Sequence, residues 1–176
     1  MRKHLLHLLG TALKEQQAGK IVDFSIKAFN PETTYVRISE GSLGGKARGL
    51  AYANQLINES NLNLEFENIQ IRIPKIAVIG TDEFDLFMDS NNLWEFALNE
   101  KNNSIIEDKF LKAKLSRNLI RKLTQYIIDI NYPIAVRSSS LLEDSQYQPL
   151  AGLYATYMLP NNSKSIKIRL SQLTEA

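Results

Sequence analysis

The hydrophobic positions along this chain predict helices alternating with short strands. Apolar residues recur at helical spacing over about residues 2–18, which predicts an amphipathic helix at the start of the chain. The alternation in residues 35–38 predicts a short strand. The apolar positions that follow Lys46 predict a helix with Gly44 and Gly45 at its N-terminus, where backbone N–H groups lack helical partners.

The rest of the chain continues this mixed pattern, which predicts an α+β fold of short strands with surrounding helices. Four aromatic residues between positions 84 and 96 are predicted to lie in the core. The further predicted elements are extended segments at 69–73 and 76–79, a helical region at about 82–100 that Thr81 caps, a long helix or broken pair at 105–130, a buried strand at 133–136, a strand at 153–159, and a final helix capped by residues 161–163.

Composition narrows the possible functions only a little. The 176 residues, 44% of them hydrophobic and 23% charged, suit one domain or part of a larger one. A net charge of +2 gives no reason to expect a nucleic-acid partner. There is no cysteine, and no apolar run approaches the roughly 20 residues that a membrane helix needs. We therefore predict a soluble, cytoplasmic protein that binds neither nucleic acid nor membrane.

The segment Gly41–Gly49 is the first candidate for a phosphate site. It sets Lys46 among small residues that leave backbone N–H groups uncovered, as a polyphosphate requires. It is not a P-loop, because Glu40 stands five residues before Gly45 and Ala47 follows the lysine. A cation in the first helical turn is unfavourable beside the helix dipole unless an anion lies between them. The alternative is that the glycines only permit a tight turn.

The segment Ala135–Asp144 is the second candidate. Arg137 follows a predicted strand and is itself followed by three serines. Its guanidinium is a rigid donor of two hydrogen bonds, and several hydroxyl groups stand beside it in the sequence. The alternative is that Arg137 forms a structural ion pair with Glu143 or Asp144. The flexible segment 149–154 that follows could fold over a ligand, or it could be a simple hairpin turn.

Together these segments resemble the N-terminal nucleotide-binding region of the phosphoenolpyruvate synthase and pyruvate phosphate dikinase family. The resemblance covers residues from about 35 to 176, in the family's order and at similar separations. The matching motifs are Gly44-Gly45-Lys46 with Gly49-Leu50-Ala51, Ile73-Pro74, Val78-Ile79-Gly80-Thr81 with Phe84, Ala135-Val-Arg-Ser-Ser-Ser140 with Glu143-Asp144, and Ala151-Gly152 with Thr156-Tyr157.

The resemblance implies an ATP-grasp-like domain that passes a phosphoryl group from ATP to a histidine on another domain of the same polypeptide. A further domain would exchange that phosphoryl group with pyruvate or phosphoenolpyruvate. ATP and Mg²⁺ are the implied ligands, with the metal ligands expected outside this chain. The site residues carried over by position are Lys46, Arg137, Gly45, Ser138, Ser139, Gly152 and Thr156, of which Arg137 would also act in catalysis.

The resemblance also implies a division of the chain and leaves a second function open. Residues 1–30 are predicted to form an N-terminal helix and linker, and residues 31–176 the first part of the ATP-binding domain, cut at its C-terminal end and inactive alone. The alternative is a non-catalytic module that senses nucleotide or docks a neighbouring domain. Leu153-Tyr154-Ala155 favours this alternative, because synthases usually carry Gln-Gln-Asp there.

Two weaker candidates complete the sequence analysis. His4 and His7 lie on the predicted first helix, outside the resemblance, and a surface role is expected for both. A basic run between Lys109 and Lys122 is interpreted as a solvated helix face, with binding of an acidic partner as the alternative.

Overall fold

A computed structural model describes residues 19–60, 68–140 and 154–176. The predicted helix at 2–18, with its two histidines, lies outside these residues, as does Gly152. The strands are β1 (Val22–Asp23), β2 (Tyr35–Arg37), β3 (Ile76–Val78), β4 (Ile134–Arg137) and β5 (Thr156–Leu159), and the helices are α1 (Gly45–Glu59), α2 (Thr81–Ser90), α3 (Trp94–Asn99), α4 (Asn103–Lys112), α5 (Arg117–Asp129) and α6 (Ile166–Glu175).

The strands form two small sheets, which confirms the predicted α+β class. In the first sheet β2 lies between β1 and β3, and all pairings are parallel. Helix α1 connects β2 to β3, as parallel neighbours require a crossover. The second sheet is the antiparallel pair of β4 and β5, which brings Ile134 opposite Leu159.

The parallel sheet lies between helices α1 and α5. Successive residues of a strand point to opposite faces, so Tyr35 and Val36 enter different cores. Val36 packs in one cluster with Leu123 and Ile127 of α5, whereas Tyr35 packs in the other with Ala47 of α1. The short strand β2 is therefore covered on both faces, and it holds the start of α1 at a fixed place.

Residues 22–29 contribute directly to this core. Strand β1 pairs with β2, and the ring of Phe24 packs 4.9 Å from that of Phe29 and 6.2 Å from that of Tyr126, measured between ring centroids. Burial and the neighbouring Tyr132 hydroxyl raise the pKa of Tyr126. Residues 22–29 thus complete the hydrophobic cluster that packs against α5. The predicted division of the chain near residue 30 stays a prediction.

The predicted helical region at 82–100 consists of two helices, α2 and α3. Of the two alternatives for residues 105–130, a long helix or a broken pair, the structure has the pair, α4 and α5. Asn92, at a φ of 51°, turns the chain after α2, and buried Leu93 follows it into the core. The side chain of Asn91 exchanges hydrogen bonds with the backbone of Lys114, at 2.9 and 3.0 Å. This contact ties the turn after α2 to the turn between α4 and α5.

The predicted core position is wrong for two of the four aromatic residues. Phe84 is 54% exposed and Trp94 is 44% exposed, and their rings meet edge to face with centroids 5.8 Å apart. Met88 and Leu93 are the buried residues of this region. Helical spacing identifies an apolar face, but it does not show whether another element covers that face.

One strand prediction also needs correction. Strand β4 was predicted to be buried, yet its residues alternate between half-buried and exposed, because its described partner is β5 alone. Residues 69–73, which were predicted as an extended segment, form neither a helix nor a strand, and Ile73 is buried against Tyr35. None of the helices in the three described ranges is long and apolar enough to cross a membrane.

Candidate functional site

The loop before α1 (residues 41–44), which we call the glycine loop, is held in place by the turn between β3 and α2. The Gly80 amide donates to the buried Ser39 hydroxyl oxygen at 2.8 Å. Ser42 and Thr81 exchange two bonds: the Ser42 amide donates to Thr81 Oγ1 at 2.9 Å, and the Thr81 amide donates to the Ser42 carbonyl at 3.2 Å. These contacts fix the backbone on both sides of Gly41, which has a φ of 97° that favours glycine.

The predicted cap of α2 is therefore wrong. Gly80 is the N-cap residue and Thr81 is the first helical residue, so the N-cap position has no side chain to accept from the first turn. The Thr81 hydroxyl accepts from the Ser42 amide, so it stabilises the glycine loop and does not cap its own helix. Asp82 and Glu83 do lie in the first turn, where acidic residues are favourable beside the helix dipole.

Helix α1 begins where the sequence predicted, but its cap comes from a distant part of the chain. Gly44 is the N-cap residue, and it offers no side chain to the first-turn N–H groups. The Ala47 amide instead donates to Ser139 Oγ at 3.0 Å across 92 residues of sequence. Since an uncapped helix end is unfavourable, this bond stabilises the start of α1 from outside the helix.

Gly44 and Ser139 also touch through their backbones. A Cβ atom added to Gly44 would overlap the carbonyl oxygen of Ser139, so this close approach requires glycine. We call the contact among Gly44, Ala47 and Ser139 the loop junction. It joins the two segments that the sequence predicted as separate phosphate loops.

A third contact anchors the loop junction to the parallel sheet. The hydroxyl of fully buried Tyr35 donates to the Ala47 carbonyl at 2.8 Å, and burial raises the pKa of Tyr35. Ala47 is thus held at its amide by Ser139 and at its carbonyl by Tyr35. The first turn of α1 is therefore positioned from both sides.

Replacing Tyr35 by phenylalanine is expected to lower the free energy of unfolding by about 1 kcal/mol, the usual contribution of one buried hydrogen bond. Urea unfolding followed by circular dichroism measures this change. The control is Tyr52→Phe, since Tyr52 is mostly exposed on α1. Equal stabilities of the two variants would mean that the Tyr35 hydroxyl contributes nothing to the anchoring of α1.

The β4–β5 pair brings two of the predicted site residues directly opposite each other. Arg137, the last residue of β4, faces Thr156, the first residue of β5. Both are exposed, and residues paired in this way have side chains on one face of the sheet. Ala135 and Met158 form the next pair on that face, and Met158 is 73% exposed. A cation and a hydroxyl therefore stand beside an apolar surface.

The other predicted site residues lie close to these features along the chain. Gly45 and Lys46 are the first two residues of α1, and both are half-buried. Ser138 accepts a hydrogen bond from the Ser140 amide at 3.4 Å. Gly152 lies outside the described residues.

Two residues that position the site, Ser39 and Tyr35, were not predicted from the sequence, and Thr81 was predicted in a different role. Ser39, Tyr35 and the hydroxyl role of Thr81 each depend on a contact with a distant segment. Gly80-Thr81 was part of the resemblance, and that motif is the one signal in the sequence that pointed to this turn. No signal distinguished Ser39 from the other serines.

The basic run between Lys109 and Lys122 is only partly a solvated helix face. Lys112 pairs with Asp108 at 2.7 Å on the surface of α4. Lys122 instead donates to the Ile38 carbonyl at 2.6 Å, at the end of β2 and directly before Ser39. The interpretation as a solvated face is therefore wrong for Lys122, which supports the glycine loop from the α5 side.

The comparisons with known proteins give one match. Residues 40–175 match the model of a protein family described as the pyruvate phosphate dikinase AMP/ATP-binding domain. No curated protein and no solved structure matches the chain significantly. The matched residues include the loop junction and both strands of the antiparallel pair.

Proposed function

The chain belongs to the family of the pyruvate phosphate dikinase AMP/ATP-binding domain, and from this premise we propose that it is the ATP-binding segment of a dikinase-type phosphotransferase. In this proposal the nucleotide phosphates bind at the loop junction. The observation that carries the proposal is the Ser139 bond to the Ala47 amide, because it joins the helix start beside Lys46 to the strand end that bears Arg137.

The chemistry of the two loops suits a polyphosphate. At the start of α1 the Gly45 and Lys46 N–H groups lie at the positive end of the helix dipole, and both features attract phosphate oxygens. Lys46 supplies a compact charge, whereas Arg137 supplies a planar fork that can donate two hydrogen bonds to one phosphate. Thr156, opposite Arg137, is proposed to lie near the nucleotide, and the backbone at Gly45 and Gly152 to contact the phosphates.

The reaction we propose is phosphoryl transfer from ATP to a histidine on another domain of the full polypeptide. The P–O bond to the leaving nucleotide breaks as the bond from the imidazole nitrogen to phosphorus forms. Negative charge grows on the leaving oxygen, and Arg137 and Lys46 would neutralise it. A pyruvate- or phosphoenolpyruvate-binding domain would then use the phosphohistidine, and the proposed compartment is the cytoplasm.

Magnesium would supply positive charge that neutralises part of the charge of the phosphates when ATP binds. Within residues 19–60, 68–140 and 154–176, no group of three or more acidic or histidine side chains lies together. The ligands of the magnesium ion are proposed to lie outside this chain, and the proposal assigns no step of the reaction to the metal.

The second candidate function is a non-catalytic module that senses nucleotide or docks a neighbouring domain. The exposed edge-to-face pair of Phe84 and Trp94 favours docking, because exposed aromatic residues often mark protein interfaces. A full-length protein that binds ATP but never labels a histidine with phosphate from ATP would support this candidate over the enzyme.

Removing the guanidinium of Arg137 is expected to weaken ATP binding about 10- to 100-fold, as for loss of a charge-assisted hydrogen bond. In turnover the loss should reach about 2–4 kcal/mol of transition-state stabilisation, and Lys46→Ala should cost a similar amount. Calorimetry with MgATP on the full-length protein, wild type beside Arg137→Ala, measures the binding change.

The control is Arg121→Ala, which removes one exposed positive charge from α5. Circular dichroism checks that each variant is folded. Equal affinities of Arg137→Ala and Arg121→Ala would contradict the assignment of Arg137. A folded wild type that binds no ATP would contradict the proposed function itself.

A further inference from the structure

We infer that Ser139 is a positioning residue that fixes the separation of the two phosphate loops; this inference rests on the proposed function. Its hydroxyl oxygen accepts from the Ala47 amide at 3.0 Å, and its carbonyl lies against Gly44. The same residue therefore contacts the helix start through both side chain and backbone.

The helix start explains why a serine is suited to this position. The first-turn N–H groups of a helix lack partners, and a short hydroxyl side chain usually accepts from the third residue. Ala47 is the third residue of α1, but the N-cap residue Gly44 has no side chain that could reach it. Ser139 performs the same task from the other loop.

The position of Ser139 in the sequence links this contact to both cations. Arg137 precedes Ser139 by two residues, and Lys46 directly precedes Ala47. A fixed bond between Ser139 and Ala47 therefore limits how far the backbones that carry the two cations can separate. Such preorganisation helps a ligand that contacts both cations at once, because the loops need not be ordered during binding.

The number of phosphates in the ligand is the variable that tests this role. AMP has one phosphate and extends only a short distance, whereas ATP has three phosphates and can span both loops. We expect Ser139→Ala to weaken MgATP binding about tenfold, the equivalent of one lost hydrogen bond. The affinity for ADP should fall by less, and the affinity for AMP should stay within about twofold of the wild-type value.

Calorimetry on the full-length protein measures all three ligands in one magnesium-containing buffer. Amide hydrogen exchange at Ala47 adds a local readout, because its N–H loses its acceptor in Ser139→Ala and should exchange faster. Ser171→Ala on α6 is the matched control, since Ser171 is an exposed serine. It should leave the three affinities unchanged.

A merely structural effect gives a different pattern. If the substitution only reduced the fraction of binding-competent protein, all three apparent affinities would fall by the same factor. Equal losses, or no loss at all, would overturn the inference. If Ser139→Ala does not fold, Ser139→Cys replaces it, because its sulfur is a weaker acceptor. The affinities of that variant for ATP, ADP and AMP are then compared in the same way.

The inference and the proposed function fail in distinguishable ways. A wild type that binds none of the three nucleotides contradicts both. A wild type that binds MgATP tightly, beside a Ser139→Ala variant of equal affinity for every ligand, contradicts the positioning role alone.

Discussion

An Arg169→Met variant is expected to be less stable than the wild type by about 3–4 kcal/mol, because buried acceptors would lose their partners. Arg169 is only 8% exposed although it is charged. Its Nε donates to Asn161 Oδ1 at 2.7 Å, and its Nη2 donates to the carbonyl oxygens of Ile127 and Ile130. Methionine fills a similar volume, so the loss would come from the hydrogen bonds rather than from a cavity.

The three acceptors lie where unpaired groups are costly. Ile127 is in the last turn of α5 and Ile130 is its C-cap residue, and carbonyls at a helix end lack helical donors. The Arg169 charge also stands at the negative end of that helix's dipole. Asn161 donates to the carbonyls of Ile130 and Tyr132, so one network joins α6 to the end of α5 and the approach to β4.

Urea unfolding followed by circular dichroism measures the difference in stability. Lys167→Met is the matched control, because Lys167 is exposed on the same helix and should tolerate the change within about 0.5 kcal/mol. Arg169→Lys should give an intermediate stability, since an ammonium group lacks the planar fork that reaches several acceptors. Equal stabilities of Arg169→Met and Lys167→Met would show that the network contributes nothing.

Local sequence patterns predicted much of the fold. Helix α1 has an apolar stripe and glycines at its start, so its existence and its N-terminus were predicted. Residues 105–130 were predicted only as a long helix or a broken pair, and the start of α5 at Arg117 was not predicted. The parallel order of β1, β2 and β3 did not follow. Strands of two or three residues carry too little pattern to define their partners, and residues 22–23 gave no strand prediction.

Long-range contacts account for the remaining errors. The caps predicted at Thr81 and at residues 161–163 rest on a sound local rule, but the N-cap residue of α6 is Ser165. The side chains of Thr81 and Asn161 bond instead to segments far along the chain. Arg169 and Lys122 resemble ordinary surface cations on helices, and only the packed structure aims them at buried backbone carbonyls. A side chain's local pattern does not reveal which unpaired group lies across from it.

The candidate site likewise combines residues that the sequence identified with contacts that only the structure shows. Its cations were chosen from composition and resemblance, and their roles stay predictions. Their arrangement came from pairing: register brings Arg137 opposite Thr156, and the loop junction joins Gly44 to Ser139. Neither contact has a signal in the sequence, because strand register and loop packing depend on the whole fold.

Gly44→Ala is the second large effect that we expect. The added Cβ would overlap the Ser139 carbonyl, so the two loops must separate or the start of α1 must shift. Backbone atoms cannot yield as a flexible side chain can. Such overpacking should lower the free energy of unfolding by about 1–3 kcal/mol. Displacing the cations should also weaken MgATP binding by about 10- to 100-fold, the equivalent of one lost charge-assisted hydrogen bond.

Gly49→Ala provides the matched control for this prediction. Gly49 lies in the same helix, five residues later, but a Cβ added there meets no atom within 4 Å. Alanine should therefore raise the free energy of unfolding by about 0.5–1 kcal/mol, because it favours the helix and restricts the unfolded chain. Urea unfolding and calorimetry with MgATP on both variants separate the close approach at Gly44 from the general effect of adding a methyl group. A Gly44→Ala variant that matches Gly49→Ala in stability and affinity would mean that the two loops do not pack against each other in solution.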